Sequence, residues 1–189
     1  KTTGTVTVSN AVHITGDHDE VTAALVTDAT KVVAATATVT IDDVNNTEIT
    51  AAELSAIGGK TSDTVTVSNA VHITGDHEQV TAALVTDDTK VVVATATVTI
   101  NDANGTDIDA TELTTIRGKT TGTVTVSNAV HITGDHDEVT AALVTDATKV
   151  VAATATVTID DVNNTEITAA ELSAIGGKTS DTVTVSNAV

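Results

Sequence analysis

Cysteine, proline, methionine, phenylalanine, tyrosine and tryptophan are all absent from this 189-residue chain. Without cysteine there is no disulfide and no thiolate metal site. Without aromatics the chain lacks the largest side chains a core can bury, so a conventional domain core is not expected. Basic residues are scarce, 8 against 26 acids, for a formal net charge of −18. Eight dispersed cations form no basic patch, and a nucleic-acid partner is not expected. No apolar run exceeds four residues, as in Val91-Val92-Val93-Ala94, so membrane insertion is not expected either. The first residue is Lys1 and no charged-then-apolar leader opens the chain; it reads as a window on a longer array.

What is present is 40% hydrophobic residues, nearly all Val, Ala, Ile and Leu, too many for a disordered acidic tail. They recur with a period of 59. Residues 1–59 and 119–177 are identical, the copy at 60–118 differs from them at 15 positions, and 178–189 repeats 60–71. Each full copy carries a net charge of −6.

Inside a copy, Thr5-Val6-Thr7-Val8 and Thr36-Ala37-Thr38-Val39-Thr40-Ile41 alternate strictly. Such β-branched alternation predicts half-buried strands with Thr outward. Short extended pieces follow at Val12-His13-Ile14 and Glu48-Ile49, and each leads into a helix start. Asp17 to Glu20 and Thr50 to Glu53 have the capping-box spacing, with Ile49 and Leu54 placed as a hydrophobic staple. Gly58-Gly59 marks the end of the second helix, where a left-handed cap is expected. Each helix spans only about two turns and needs packing to persist.

The expected fold is therefore an α/β solenoid. Each copy supplies two strand–helix coils of 29 and 30 residues, with a parallel sheet on one wall, helices on the other, and right-handed crossovers. No linker composition separates repeats 1–59, 60–118, 119–177 and the partial 178–189, so one continuous solenoid is preferred to a string of small β-rich domains.

The Thr/Val/Ala texture, with Thr-Val-Thr-Val-Ser-Asn-Ala-Val and Thr-Ala-Ala-Glu-Leu-Ser-Ala-Ile-Gly-Gly, resembles the tandem repeats of giant bacterial surface and secreted proteins of the adhesin-like kind. The resemblance covers the whole chain and rests on texture, not on a catalytic signature. It implies an extracellular or cell-surface, filamentous role and no enzyme.

Three patterns carry candidate chemistry. His13, Asp17 and His18 recur as His72, Asp76 and His77, and as His131, Asp135 and His136. Two imidazoles and a carboxylate across a turn suit Zn²⁺, Cu²⁺ or Ni²⁺; the plainer reading is solvated histidine beside a helix cap. Equivalent histidines of successive copies stand roughly 10 Å apart at about 4.8 Å per coil, too far to share an ion. Residues 43–49 and 101–112 resemble calcium loops. Setting Glu112 at the bidentate position, however, puts Thr106 where the invariant glycine belongs, which excludes an EF-hand. Looser binding of Ca²⁺ or another divalent cation by stacked acids is the remaining cofactor expectation, with higher thermal stability in Ca²⁺ or high salt. Finally, stacked Thr-x-Thr rows resemble the surfaces of ice-binding solenoids, although Thr is also the ordinary exposed strand residue. The sequons at Asn45, Asn104 and Asn163 go unused in a bacterial host.

Two roles follow: a structural rod whose partner is its own kind, joined end to end, or a binding surface displayed on the same rod. Near-identical copies favour the rod, since a spacer needs length and a recognition site needs one good patch.

Overall fold

The structure, a computed structural model, describes residues 3–27, 31–86, 90–145 and 149–187. It is an α/β fold of short parallel strands in several sheets with short helices, an arrangement compatible with a repeat solenoid. The chain forms two compact units, Lys1–Thr97 with Lys119–Thr121 and Val98–Gly118 with Gly122–Val189.

The first unit runs β1 (Val6–Thr7), β2 (His13–Gly16), α1 (His18–Val21, continued by a π turn over Thr22–Val26), β3 (Val32–Val33), β4 (Thr38–Ile41), β5 (Glu48–Thr50) and α2 (Ala51–Gly58). It continues through β6 (Val65–Val67), β7 (His72–Gly75), α3 (His77–Leu84) and β8 (Val91–Val93). Strand β1 pairs with β3, the strands β2-β4-β6-β8 lie side by side in that order, and β5 pairs with β7. In the second unit come β9 (Thr97–Ile100), β10 (Asp107–Asp109), α4 (Ala110–Arg117), β11 (Val124–Val126), β12 (His131–Gly134) and α5 (His136–Val139, with a π turn over Thr140–Val144). After these come β13 (Val150–Val151), β14 (Thr156–Ile159), α6 (Ala169–Gly176) and β15 (Val183–Val185). There β9, β11 and β13 pair in turn, as do β10, β12, β14 and β15.

The alternation is realised as expected wherever a strand has neighbours on both sides. In β6 and β11 the valines are buried and the threonine between them faces out. The helix starts also hold. Thr50 and Glu53 form the capping box of α2, and Asp17 accepts the Glu20 N–H at 2.8 Å.

Two details depart from the sequence reading. Paired residues are separated by 24 to 26 positions, as in Glu48↔His72 and Val39↔Val65, not by 29 or 30. In the first two repeats the second half carries three strands against two in the first half, so adjacent strands of a sheet occupy different positions of the repeat. The helix end at Gly59 is right-handed, with φ −68°, and its N–H donates to the Ser55 carbonyl at 2.9 Å. Arg117 stands at the Gly58 position in the middle repeat, which a left-handed requirement there would penalise.

Threonine hydroxyls divide into two kinds, and substitution should move stability in opposite directions. The buried Thr120 hydroxyl donates to the Ala96 carbonyl, as Thr61 does to Ala37 and Thr179 to Ala155. The hydroxyls of Thr22, Thr81 and Thr140 are buried with no hydrogen-bond partner among the described residues. Thr120→Val, which strips a buried carbonyl of its donor, should cost about 1–3 kcal/mol in urea unfolding. The isosteric Thr81→Val removes an unsatisfied polar group and should gain up to about 1 kcal/mol. A loss from Thr81→Val as large as that from Thr120→Val would refute the distinction.

Candidate functional site

The strongest cluster of titratable groups is a buried His–Asp pair that recurs. Asp17 caps α1, which leaves His18 as the first helical residue with its backbone N–H unsatisfied by the helix itself. Asp43, just past the end of β4, supplies both acceptors. Its Oδ2 takes the His18 N–H at 2.8 Å and its Oδ1 takes Nδ1–H of the ring at 2.7 Å. Asp161 does the same for His136, at 2.9 and 2.7 Å. Each ring is 14% exposed and each aspartate 5%. The β2–β4 pairing, which places His13 beside Thr38 and Gly16 beside Ile41, brings the two residues together across 25 positions of sequence.

Burial works against protonation of His18, but the Asp43 hydrogen bond and charge, helped by Asp19 and Glu53, raise its pKa above the ordinary value. For His136 the Asp161 hydrogen bond leads and the outcome is the same. The outer nitrogen faces a second carboxylate, Asp19 at 3.7 Å and Asp137 at 3.5 Å. The arrangement ties a helix start to the loop after the neighbouring strand.

Of the expected His–Asp–His set, His13, Asp17 and His18 are turned to different partners. His13 hydrogen-bonds across the strand face to Thr38 and Thr40, at 2.9 and 3.3 Å. Asp17 is occupied as a helix cap, and His18 turns to Asp43. In the middle repeat His72 lies in register with Glu48, Asp76 accepts the Gln79 N–H at 2.7 Å, and His77 opens α3. In the third, His131 bonds Asp107 at 2.8 Å and Thr158 at 2.7 Å, Asp135 accepts the Glu138 N–H, and His136 faces Asp161. Residues i and i+5 at a strand-to-helix junction leave the turn in different directions. Among the described residues no three His, Asp or Glu side chains form a metal-holding group.

The calcium-like loops are likewise engaged by the chain. Asn69 Nδ2 donates to the Asp43 carbonyl at 2.6 Å, and Asn45 Oδ1 accepts the Ala70 N–H at 3.1 Å. The left-handed turn position falls on Asn46 and Asn164 and on Gly105 in the middle repeat, where a short polar side chain or none is tolerated. The threonine rows do form: Thr15, Thr40 and Thr66 are in register, as are Thr133, Thr158 and Thr184. The neighbouring rank is mixed, with His13 beside Thr38 and Asp107 beside His131.

Asp43 was expected only as the start of a calcium-like loop, and neither it nor Asp161 was expected as a histidine partner. A signal was nevertheless there. Position 43 stays aspartate in the middle repeat, as Asp102, while its flanks change from Asp42 to Asn101 and from Val44 to Ala103; Asp102 is also buried.

The fold and this pair define a class, a repeat-built α/β protein pinned by buried His–Asp contacts. The chain matches no protein-family model, no curated protein and no solved structure.

Proposed function

We propose that the chain is a non-enzymatic structural repeat, a solenoid that joins its own kind end to end in an extracellular filament or cell-surface rod. Each 59-residue repeat supplies two coils. In the first repeat these are β1-β2-α1 and β3-β4-β5-α2, with the parallel strands on one wall, helices on the other, and right-handed crossovers.

The observation that carries this reading is the unequal burial of identical sequence. Val124 and Val130 are 0% and 1% exposed, whereas their counterparts Val6 and Val12 are 42% and 37% exposed. At the other side of the repeat, Ala51 and Leu54 are fully buried, while Ala169 is exposed and Leu172 half-buried. Residues 1–59 and 119–177 are the same, so only a neighbouring coil can make this difference. A coil with neighbours on both sides buries these apolar steps and pairs its strand edges, so each coil depends on the next. The acidic surface and the resemblance to tandem surface repeats support the extracellular setting.

Electron microscopy of the protein at rising concentration in calcium-containing buffer tests the reading. Fibres of constant width, with an axial spacing of about 4.8 Å in diffraction, are expected. Isolated short rods at every concentration would overturn it.

A further inference from the structure

Outside the buried His–Asp pairs, a threonine hydroxyl stands in line with a base and an acid. The line crosses β10, β12 and β14 of the second unit. Asp107, His131 and Thr156 are in register there, as are Thr133 and Thr158 two residues further along, on the same face. The His131 ring reaches from the first rank to the second. Its Nδ1 meets Asp107 Oδ1 at 2.8 Å and its Nε2 meets Thr158 Oγ1 at 2.7 Å. An ionised carboxylate only accepts, so Nδ1 carries the ring proton and Nε2 offers its lone pair to the Thr158 hydroxyl. Hydroxyl, imidazole and carboxylate in this order make a nucleophile of a weak alcohol in acyl transfer. The Asp107 side chain is 78% exposed, the imidazole 35%, and Thr158 is half-buried, so the line is open to a reagent from solvent. The first repeat supplies a contrast, because His13 and Thr40 are the counterparts of His131 and Thr158 in identical sequence. There Nδ1 meets the Thr38 hydroxyl at 2.9 Å, and Nε2 lies 3.3 Å from Thr40. A hydroxyl donates as readily as it accepts, so Thr38 fixes no tautomer.

We propose that Thr158 is an acylation site, a nucleophile that takes an acyl group from an activated donor such as a thioester or an aryl ester. Oγ1 attacks the donor's carbonyl carbon while its proton passes to His131 Nε2. The bond from that carbon to the leaving sulfur or oxygen breaks with its electron pair, and the proton moves from Nε2 to the leaving group. The products are the Thr158 ester and a free thiol or phenol. Asp107 is a positioning residue, which holds the tautomer and the ring. Strand β14 is paired on both sides, so its amides are spent on the sheet and give no oxyanion hole. The donor must therefore carry a good leaving group, and the reaction ends at the ester: the chain is modified once and is not a turnover catalyst. The site does not depend on whether rods join end to end.

Treatment of the full chain with p-nitrophenyl acetate tests the proposal. Peptides 32–60 and 150–178 are identical in the wild type, so the chain carries Thr40→Val, which gives them different masses in tandem mass spectrometry. An acetyl ester, removable by neutral hydroxylamine as an amide on lysine is not, should form on Thr158. His131→Gln should slow its formation about 100-fold. Asp107→Asn should slow it about tenfold, since water competes for so exposed a pair, and Asp107→Glu should restore most of the rate, which a merely structural role would not require. In a Thr158→Val chain, Thr40 should be acetylated about tenfold more slowly than Thr158 is in the Thr40→Val chain. Circular dichroism checks the fold of each variant; should His131→Gln not fold, the exposed Asp107→Asn and its glutamate rescue decide. Absence of an ester at Thr158, equal rates at Thr40 and Thr158, or a rate indifferent to the His131 or Asp107 changes would each overturn the proposal. Fibre formation by the same variants, followed by electron microscopy, keeps this outcome separate from the filament reading.

Discussion

Leu54→Ala should cost about 2–5 kcal/mol in urea unfolding, the price of a cavity in a packed core, and Leu172→Ala roughly half of that or less. The two leucines sit in identical sequence, Ala-Ala-Glu-Leu-Ser-Ala-Ile-Gly-Gly, and in helices of the same length with the same capping box. Leu54 is fully buried and Leu172 is not. Helix α2 is packed against α3, whereas α6 is the last helix among the described residues. The comparison thus holds local sequence, propensity and capping constant and varies only the neighbouring coil. Equal losses at the two sites would mean that stacking contributes little to burial, and the solenoid reading would fail with it.

Stability should fall as pH rises through neutrality, and Asp43 and Asp161 should be the reason. The folded pKa values of His18 and His136 lie above the ordinary 6.5, so folding favours the protonated rings. That contribution is complete below 6.5 and is lost as pH rises through the folded values. Glu53 and Glu171 act in the opposite direction. The Thr50 hydroxyl, and for Glu171 the Thr168 backbone N–H, hold these carboxylates below the ordinary 4.5, so their contribution is lost as pH falls. Maximum stability therefore belongs between about 4.5 and about 6.5. Melting temperatures measured across pH should show that maximum in the wild-type chain. In the Asp43→Asn, Asp161→Asn double variant the alkaline decline should flatten, because an amide keeps the geometry and removes the charge. The corresponding alanine changes orphan a buried backbone N–H and a ring nitrogen, and should cost about 1–3 kcal/mol per site at any pH. An alkaline decline that survives both double variants would place its origin elsewhere.

Local features of the fold were legible; relations between distant residues were not. Thr5 to Val8 and Thr36 to Ile41 announced themselves by alternation, and the helix starts by Asp17 and Thr50, since both signals are written within a few residues. Strand β3 is only Val32–Val33, too short for any period to show. Glu48–Thr50 and Glu166–Thr168 are the same three residues, yet only the first is a strand, because only the first has β7 to pair with. The same limit hid the site. His18 was found beside its cap, but its partner lies 25 residues away, and that distance is set by strand register.

The registers at the repeat boundaries have an evolutionary corollary. Strand β5 meets β7 with an offset of 24 and β10 meets β12 with the same offset, although the repeats on the two sides of each boundary differ in order. Likewise β4 meets β6 and β14 meets β15 at an offset of 26. Each kind of repeat therefore follows the other with the same pairings. Unequal recombination between such near-identical stretches of coding sequence adds or deletes whole coils and leaves every remaining contact as it was. Length becomes a heritable trait that can lengthen or shorten between generations while the fold stays out of reach of the change.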